Sequence, residues 1–427
     1  MNGQTFVLKG DLCYSIDRYT TAGVPDGWLV CVDGVWEGVF RALPERYAGL
    51  PVLDYTGKLV IPGLVDLHVH APQYTFRGLG LDLELLDWLD QRAFPEEARY
   101  ADEDYAAAAY RRFVEEMRRG PNSRACVFAT RHVPATEELM DQLEASGLIT
   151  MVGKVNMDRN APEALRESSA AGSLRDTAAW LEETRGKYRR TRPILTPRFI
   201  PSCTDELLSG LGELRRAWEL PVQSHLSENR GEVEWVQQLC PWSSCYGDAY
   251  DHFGLFGGAL GGTIMAHCVL SGEEEIARMK ERDVTVAHCP QSNTNLASGI
   301  APVRRYLEEG LSVGLGSDVA GGNHLSILRA MADAIQVSKL RWRLQDESLR
   351  PLTIPEAFWM GTLGGGAFFG KVGTFREGYE ADAVVLDDSR LAGPREFSIT
   401  ERLERAIYLL EERDVAAKFV AGTRLFG

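Results

Sequence analysis

The segment LVIPGLVDLHVH, residues 59–70, is the starting point for interpreting the whole chain. Its apolar run predicts a buried strand, interrupted once by Pro62 and Gly63, and the segment ends in His-x-His. Because alternate side chains of a strand point to the same side, His68 and His70 would project together from the end of the strand. Two imidazoles presented in this way supply half of a four-ligand metal site.

Strand-like and helical segments alternate between about residues 60 and 370. Eight apolar runs, which begin near residues 59, 125, 149, 194, 221, 263, 284 and 312, are each followed by a segment of helical periodicity. Repeated strand–helix units indicate a parallel sheet, and eight of them predict a closed (β/α)₈ barrel of the TIM type. In such barrels the active site lies at the carboxyl ends of the strands.

The two ends of the chain have a different sequence pattern. Residues 1–58 and 371–427 contain short β-prone runs separated by Gly, Pro and Asp. A chain of 427 residues is long enough for a barrel of about 250 residues or more plus a smaller domain. We therefore expect an α/β protein in which residues 59–370 form the barrel and the two end segments together form a small β-sandwich domain.

Charge and cysteine content restrict the partners and the compartment. With 46 basic and 61 acidic residues the net charge is −15, so we expect neither nucleic acid nor a membrane as a partner. No stretch approaches ~18 apolar residues, and the N-terminal segment lacks the pattern of a signal peptide. The eight cysteines form no C-x-x-C pair, which favours buried, reduced thiols in a cytoplasmic protein over a secreted disulfide scaffold.

Polar residues occupy the predicted carboxyl ends of five barrel strands. They are His68, His70, His225, His267, His288 and Asp318. One strand-end histidine is more often structural than a ligand, but five at one face of a barrel, together with an aspartate, favour a metal site. His68, His70, His225 and Asp318 offer three nitrogens and one oxygen to a divalent ion, Zn²⁺ above all, although Fe²⁺ also suits these ligands. An open position would hold water, whose pKa the metal lowers towards ~7.

Other residues near these strand ends suggest proton transfer. Asp318 has a second oxygen that can accept the proton of the water, and His267 is placed to orient that water. Glu228 lies three residues after His225, where the chain can turn back over the metal and move a proton between water and a ring nitrogen. The alternative role for Glu228 is to cap the following helix. We expect His288 behind the ligands, and surface or structural roles for His132, His252 and His324.

A second metal is not expected. A two-metal barrel of this kind often uses a modified lysine at the end of strand four as the bridging ligand, but that strand ends in Thr196-Pro197-Arg198-Phe199. Lys154 belongs to strand three and is expected to be an ordinary charge partner. The sequence therefore predicts a mononuclear site.

The chain resembles the amidohydrolase superfamily over nearly its whole length, and within it the members that deaminate guanine. The His-x-His and the strand-eight aspartate indicate only the superfamily. The resemblance to the guanine-deaminating members rests on Gln73, Pro197-Arg198-Phe199 and Ser227-Glu228-Asn229-Arg230. The segments that carry it are PGLVD (62–66), QY (73–74), WL (88–89), FP (94–95), VGKV (152–155), TPRF (196–199), SH (224–225), SENR (227–230), AHCP (287–290), GLG (314–316) and DVAGG (318–322).

The resemblance implies that Gln73, Arg198 and the backbone at Phe199 hold the purine, with His225 and His267 also in contact with it. An arginine fork can grip the O6 and N7 acceptors of guanine in two bonds, although a salt bridge at the barrel rim is the alternative role for Arg198. The implied reaction is hydrolytic deamination of the free base guanine to xanthine and ammonia, in which Glu228 protonates N3. The resemblance also suggests a homodimer.

Two further functions stay open from the sequence. A related aminohydrolase that acts on another purine, a pterin or a triazine would keep the metal ligands and change the pocket. Arg77 and His324 depart from the family pattern, and their roles stay open, including an effect on the pocket mouth and so on substrate preference. Some superfamily members are non-catalytic scaffolds that have lost ligands, but the complete ligand set here opposes that role. The chain has no P-C-x-x-C, so it lacks the other zinc deaminase design.

Overall fold

The computed structural model, which describes residues 4–258 and 260–427, contains parallel strand–helix units in the middle of the chain and a mixed sheet built from both ends. The strands are β1 (Phe6–Ser15), β2 (Thr21–Val32), β3 (Val35–Phe40), β4 (Val52–Pro62), β5 (Leu64–His70), β6 (Asn122–Phe128), β7 (Ile149–Gly153), β8 (Val155–Asn156), β9 (Thr191–Pro193), β10 (Thr196–Pro197), β11 (Val222–Leu226), β12 (Thr263–His267), β13 (Thr285–His288), β14 (Ser312–Leu315), β15 (Ala383–Leu386), β16 (Val415–Val420) and β17 (Thr423–Phe426).

Helices follow most of the strands in the middle of the chain. They are α1 (Leu85–Trp88), α2 (Phe94–Ala98), α3 (Glu103–Arg119), α4 (Val133–Ser146), α5 (Ala170–Thr184), α6 (Asp205–Trp218), α7 (Arg230–Leu239), α8 (Tyr246–His252), α9 (Glu273–Glu281), α10 (Pro290–Asn295), α11 (Val303–Glu309), α12 (Ile327–Leu344), α13 (Ile354–Trp359) and α14 (Ile399–Leu409). A π-helical turn, Leu89–Ala93, joins α1 to α2. Within the described ranges, no helix combines the length and the apolar character that crossing a membrane requires.

Strand pairing in the middle of the chain is parallel. It forms two four-stranded sheets, β5-β6-β7-β9 and β11-β12-β13-β14, and the short pair β8-β10. A single parallel bridge between Leu195 and Val222 connects the first group to the second. The N–H of Asp318 donates to the His68 carbonyl at 2.8 Å, which connects the segment after β14 to β5. The mixed α/β composition is confirmed, whereas a closed eight-stranded barrel stays a prediction.

The two ends of the chain meet in one seven-stranded sheet with the order β17-β16-β15-β4-β1-β2-β3. β4 continues through the predicted boundary at residue 59, because Leu59–Pro62 pair with β15 in antiparallel register. Leu59–Pro62 thus belong to the sheet of the chain ends, and at Gly63, which follows them, a Cβ would lie 2.3 Å from Ser123 Oγ. Among the described strands, this region contains one sheet, and the second layer of a sandwich stays a prediction.

Every residue of β5 is buried, including the polar residue Asp66. Its carboxylate accepts hydrogen bonds from the backbone N–H groups of His68 and Ser317, at 3.2 and 3.0 Å, and from Ser317 Oγ at 2.5 Å. Burial raises the pKa of Asp66 to about 7. A buried carboxyl group is stable only with such partners, so Asp66 holds the loop that follows β14 against the strand that carries the His-x-His.

Candidate active site

Four side chains converge at the carboxyl ends of the parallel strands, and we call them the donor cluster: His68, His70, His225 and Asp318. His70 Nε2 lies 3.2 Å from both His68 Nε2 and His225 Nε2. Asp318 Oδ1 lies 3.2 Å from His68 Nε2 and 3.4 Å from His70 Nε2. The structure thus brings together all four residues that the sequence nominated as ligands.

Burial favours the neutral form of the three histidines of the donor cluster, which is the form that binds a metal. Burial lowers the pKa of His68, and it lowers the pKa values of His70 and His225 well below the usual value. His225 Nδ1 lies 2.6 Å from the backbone carbonyl of Arg198. Since a carbonyl can only accept, Nδ1 carries the proton, and Nε2 presents its lone pair to the other donors.

Four separations within the donor cluster fit the binding of one divalent ion. Ligand atoms bound to Zn²⁺ at 2.0–2.1 Å in a tetrahedron are roughly 3.3 Å apart, which matches the four separations of 3.2–3.4 Å given above. Donor atoms of His68, His70 and His225 lie within 4.8 Å of one another, and Asp318 shares a second group of this kind with His68. Cys289 Sγ also lies within 4.8 Å of donor atoms of His68, His267 and Asp318. Burial raises the pKa of Cys289 well above its usual value, so this thiol is a poorer ligand than the imidazoles.

Glu228 is directed into the site and does not cap the next helix. Helix α7 is capped by Asn229, and Glu232 accepts the backbone N–H groups of Glu228 and Asn229 at 3.0 and 3.2 Å. The Glu228 side chain is buried, with Oε2 3.4 Å from His267 Nε2 and Oε1 3.4 Å from Ser298 Oγ. Burial raises the pKa of Glu228 well above its usual value, as suits a group that donates a proton.

His267 lies between the Glu228 carboxyl and the donor cluster. Its Nε2 is 3.7 Å from Asp318 Oδ2, and its Nδ1 is 2.8 Å from Asn293 Oδ1. Both His267 and Asp318 have positive φ angles, of 72° and 45°. Such backbone conformations are costly for residues with a Cβ and are concentrated at functional sites. The geometry aims one edge of His267 at the two carboxylates.

A partly open cavity lies beside the donor cluster. Its polar border includes Gln73, Arg198, Glu228 and Glu232. Its apolar border consists of Leu85, Trp88, Leu89, Phe199 and Leu296. A concave apolar pocket with a few convergent polar groups is typical of a site for a small molecule.

Gln73 and Arg198 are joined by Glu97, a residue that the sequence analysis missed. Glu97 Oε1 accepts from Gln73 Nε2 at 2.8 Å and from Arg198 Nη2 at 3.0 Å, and its Oε2 accepts from Arg198 Nη1 at 2.5 Å. We call these three buried residues the carboxylate network. The Phe94-Pro95 motif pointed to this segment, but nothing in the sequence separates Glu97 from the partly exposed Glu96 beside it.

Other residues considered from the sequence lie outside this cavity. Lys154 is an ion-pair partner as expected, because its Nζ lies 2.5 Å from Glu167 Oε1. His288 is buried but borders a separate cavity near Pro302 and Trp342. The residues that border the cavity of the donor cluster do not include His132 or His252.

Arg77 and His324, whose roles the sequence left open, border a different surface cleft. The guanidinium of Arg77 forms two bonds to the Glu116 carboxylate, at 2.6 and 3.0 Å. His324 is exposed, as a surface role requires. Neither residue is among those that border the cavity of the donor cluster.

Comparison with known proteins agrees with this geometry. The family described as "Amidohydrolase family" matches residues 59–425. A guanine deaminase from Dictyostelium discoideum is 37% identical over 447 aligned residues, covering 98% of each chain, and one from Escherichia coli K12 is 32% identical over 92% of this chain and 88% of that protein. A crystal structure of guanine deaminase from C. acetobutylicum, with guanine bound in its active site, is 44% identical with a TM-score of 0.96, covering 99% of this chain and 100% of that one. Because the family match spans most of its length, the chain belongs to the amidohydrolase family.

Proposed function

We propose that this protein catalyses the hydrolytic deamination of guanine, which converts guanine and water to xanthine and ammonia. The observation that carries the proposal is the near-complete similarity to a guanine deaminase with guanine in its active site, at 44% identity. The donor cluster, the buried Glu228 and the cavity bordered by Gln73 and Arg198 supply the groups that this reaction needs.

The donor cluster would hold one divalent ion. His68, His70, His225 and Asp318 supply the three nitrogens and one oxygen that suit Zn²⁺, and Fe²⁺ is the second ion compatible with these ligands. When bound, such an ion lowers the pKa of a water molecule so that hydroxide is available near neutral pH.

The remaining residues would bind the base and move protons. Gln73, Arg198 and the backbone at Phe199 would hold the purine, with C2 facing His225 and His267. Asp318 would accept the proton of the attacking water, whose oxygen forms a bond to C2. Glu228 would deliver a proton to N3, and the 2-amino group would leave as ammonia once it is protonated. His267 would steady the charge that develops on the attacking oxygen.

We also propose a closed (β/α)₈ barrel, which the Leu195–Val222 bridge and the hydrogen bond from Asp318 to His68 support. The sheet shared by both chain ends supports a separate small domain, with the barrel starting at Gly63.

All eight cysteines are free thiols and seven are buried, which supports a reducing, cytoplasmic setting. The homodimer rests on the family resemblance, and sedimentation analysis of the purified protein tests it.

A panel of free bases tests the substrate. Ammonia release is measured for guanine, adenine, 8-oxoguanine, a pterin and an aminotriazine, with the divalent metal content determined on the same sample. We expect guanine to be the best substrate and the protein to carry about one ion per chain, as its single tetrahedral donor set allows. If guanine is not turned over while a pterin or a triazine is, the proposed substrate is wrong. A protein that holds no divalent metal and gains none on reconstitution would overturn the enzymatic role.

A further inference from the structure

The carboxylate network fixes which groups of Gln73 face the cavity. Gln73 Nε2 donates to Glu97 Oε1 at 2.8 Å, while Gln73 Oε1 accepts the backbone N–H of Ala320 at 3.1 Å. Rotating the amide by half a turn would place its oxygen against the carboxylate and its NH₂ against a backbone N–H. Both contacts would then be repulsive in a buried environment, where an unpaired polar group is costly. The amide is therefore held in one orientation.

The same network leaves mainly donors available to a ligand. The oxygen of Gln73 is directed at the N–H of Ala320, and one of the two N–H groups of Gln73 is used by Glu97, so one N–H remains for the ligand. Arg198 has five N–H groups and no acceptor, and Glu97 uses two of them. Both side chains border the cavity. This part of the wall therefore complements a ligand edge made of acceptors.

We propose that Glu97 is a positioning residue that makes the pocket selective for 6-oxopurines over 6-aminopurines. The proposal rests on guanine deamination as the function. Guanine presents O6 and N7 as two adjacent acceptors, whereas a 6-aminopurine presents an NH₂ donor beside N7. An NH₂ group placed against donors leaves both sides unpaired, and a site of this kind discriminates strongly against such a base. Glu97 acts through Gln73 and Arg198 and does not itself need to touch the base.

The wild-type protein provides the first test. The two substrates are guanine and 2,6-diaminopurine, which keeps the reacting 2-amino group and exchanges O6 for an amino group. We expect kcat/KM for guanine to exceed that for 2,6-diaminopurine by at least ~100-fold. If the two values lie within about tenfold of each other while guanine is turned over, the proposed selectivity is wrong although the proposed function stands. If guanine is not turned over at all, the function itself fails.

Substitution of Glu97 tests its role. In Glu97→Gln the new amide has one acceptor oxygen in place of two, so it cannot accept all three hydrogen bonds that Glu97 accepts. When its NH₂ group faces Gln73, the Gln73 amide is free to rotate and offer its oxygen to the cavity. We expect KM for guanine to rise at least ~10-fold and the guanine to 2,6-diaminopurine ratio of kcat/KM to fall at least ~10-fold. The ratio is independent of the fraction of active protein, so a purely structural defect leaves it unchanged. Glu103→Gln, at an exposed glutamate, is the matched control and keeps the wild-type ratio.

A reciprocal exchange covers the case in which Glu97→Gln folds poorly. The double variant Gln73→Glu/Glu97→Gln keeps the total charge beside Arg198 and reverses the donor and acceptor between the two positions. A carboxylate at position 73 offers the cavity an acceptor, so the ratio should move towards 2,6-diaminopurine. An unchanged ratio in whichever of the two variants is active would overturn the role of Glu97.

Discussion

The donor cluster and the carboxylate network border the same cavity, but they are assembled in different ways. The histidines of the donor cluster lie on strands β5 and β11, and Asp318 follows β14 by three residues. In the carboxylate network, Gln73 and Arg198 also follow strands, but Glu97 comes from α2, in a helical segment inserted between β5 and β6. Residues at strand ends are brought together by the parallel topology itself. Glu97 reaches its partners only through tertiary packing.

Removal of one histidine tests the donor cluster most severely. His225→Ala removes one of the three proposed nitrogen ligands and leaves the Arg198 carbonyl without its His225 partner. We expect loss of the bound metal and of measurable deamination, determined by elemental analysis and ammonia release. His324→Ala, at an exposed histidine outside the cavity, is the control and keeps both. Full metal content in His225→Ala would remove that residue from the ligand set.

Glu228→Gln separates chemistry from binding. The substitution preserves shape but cannot shuttle a proton, so turnover should fall at least ~100-fold while metal content and guanine affinity are kept. Turnover is followed by steady-state kinetics and guanine affinity by calorimetry. Exposed Glu274 supplies the matched control, Glu274→Gln, which should behave as wild type. Near-normal turnover in Glu228→Gln would exclude Glu228 from proton transfer.

Asn293→Ala tests whether a hydrogen bond that orients His267 contributes to activity, as the carboxylate network is proposed to do for Gln73 and Arg198. Asn293 Oδ1 lies 2.8 Å from His267 Nδ1 and fixes the orientation of that ring. Loss of such an outer partner typically costs about 10–100-fold, and we expect the loss in kcat with the metal retained. An unchanged kcat would mean that packing alone orients His267.

Arg77→Ala should have the smallest effect. The Arg77–Glu116 pair is partly exposed, and its side chains retain 25% and 27% of their accessible surface. Removing it should cost about 0–1 kcal/mol of stability and leave KM for guanine unchanged, as measured by thermal unfolding and kinetics. A rise in KM for guanine would indicate that Arg77 does affect the pocket mouth.

The donor residues were predictable because their signal is local. A polar residue at the end of an apolar run is visible in sequence, and the parallel order of strands then places such residues together. Glu97, Glu232 and Asn293 escaped prediction for the opposite reason. Each is an ordinary polar residue in a helix, and only its burial against a particular partner gives it a role. Adjacent Glu96 and Glu97 show this directly, since one is partly exposed and the other buried.

The change from one sheet to the other at Gly63 was not predicted, for a related reason. Leu59–Ile61 and Leu64–Val65 form almost one apolar run, so hydrophobicity alone assigns them to one strand. The pairing of Leu59–Pro62 with β15 depends on a segment more than 300 residues away in the sequence. The local indication was the Pro62-Gly63 break, which is where the chain changes sheets.

The pairing of β4 with β15 has a consequence for the order of assembly. Pro62 pairs with Ala383, and a single glycine separates Pro62 from the strand that carries His68 and His70. During synthesis the His-x-His strand leaves the ribosome long before β15, so its neighbouring sheet is incomplete until nearly the whole chain has been made. Contacts so distant in sequence slow folding. The two histidines proposed to bind the metal are thus synthesised early, while the sheet directly preceding them is among the last structures completed.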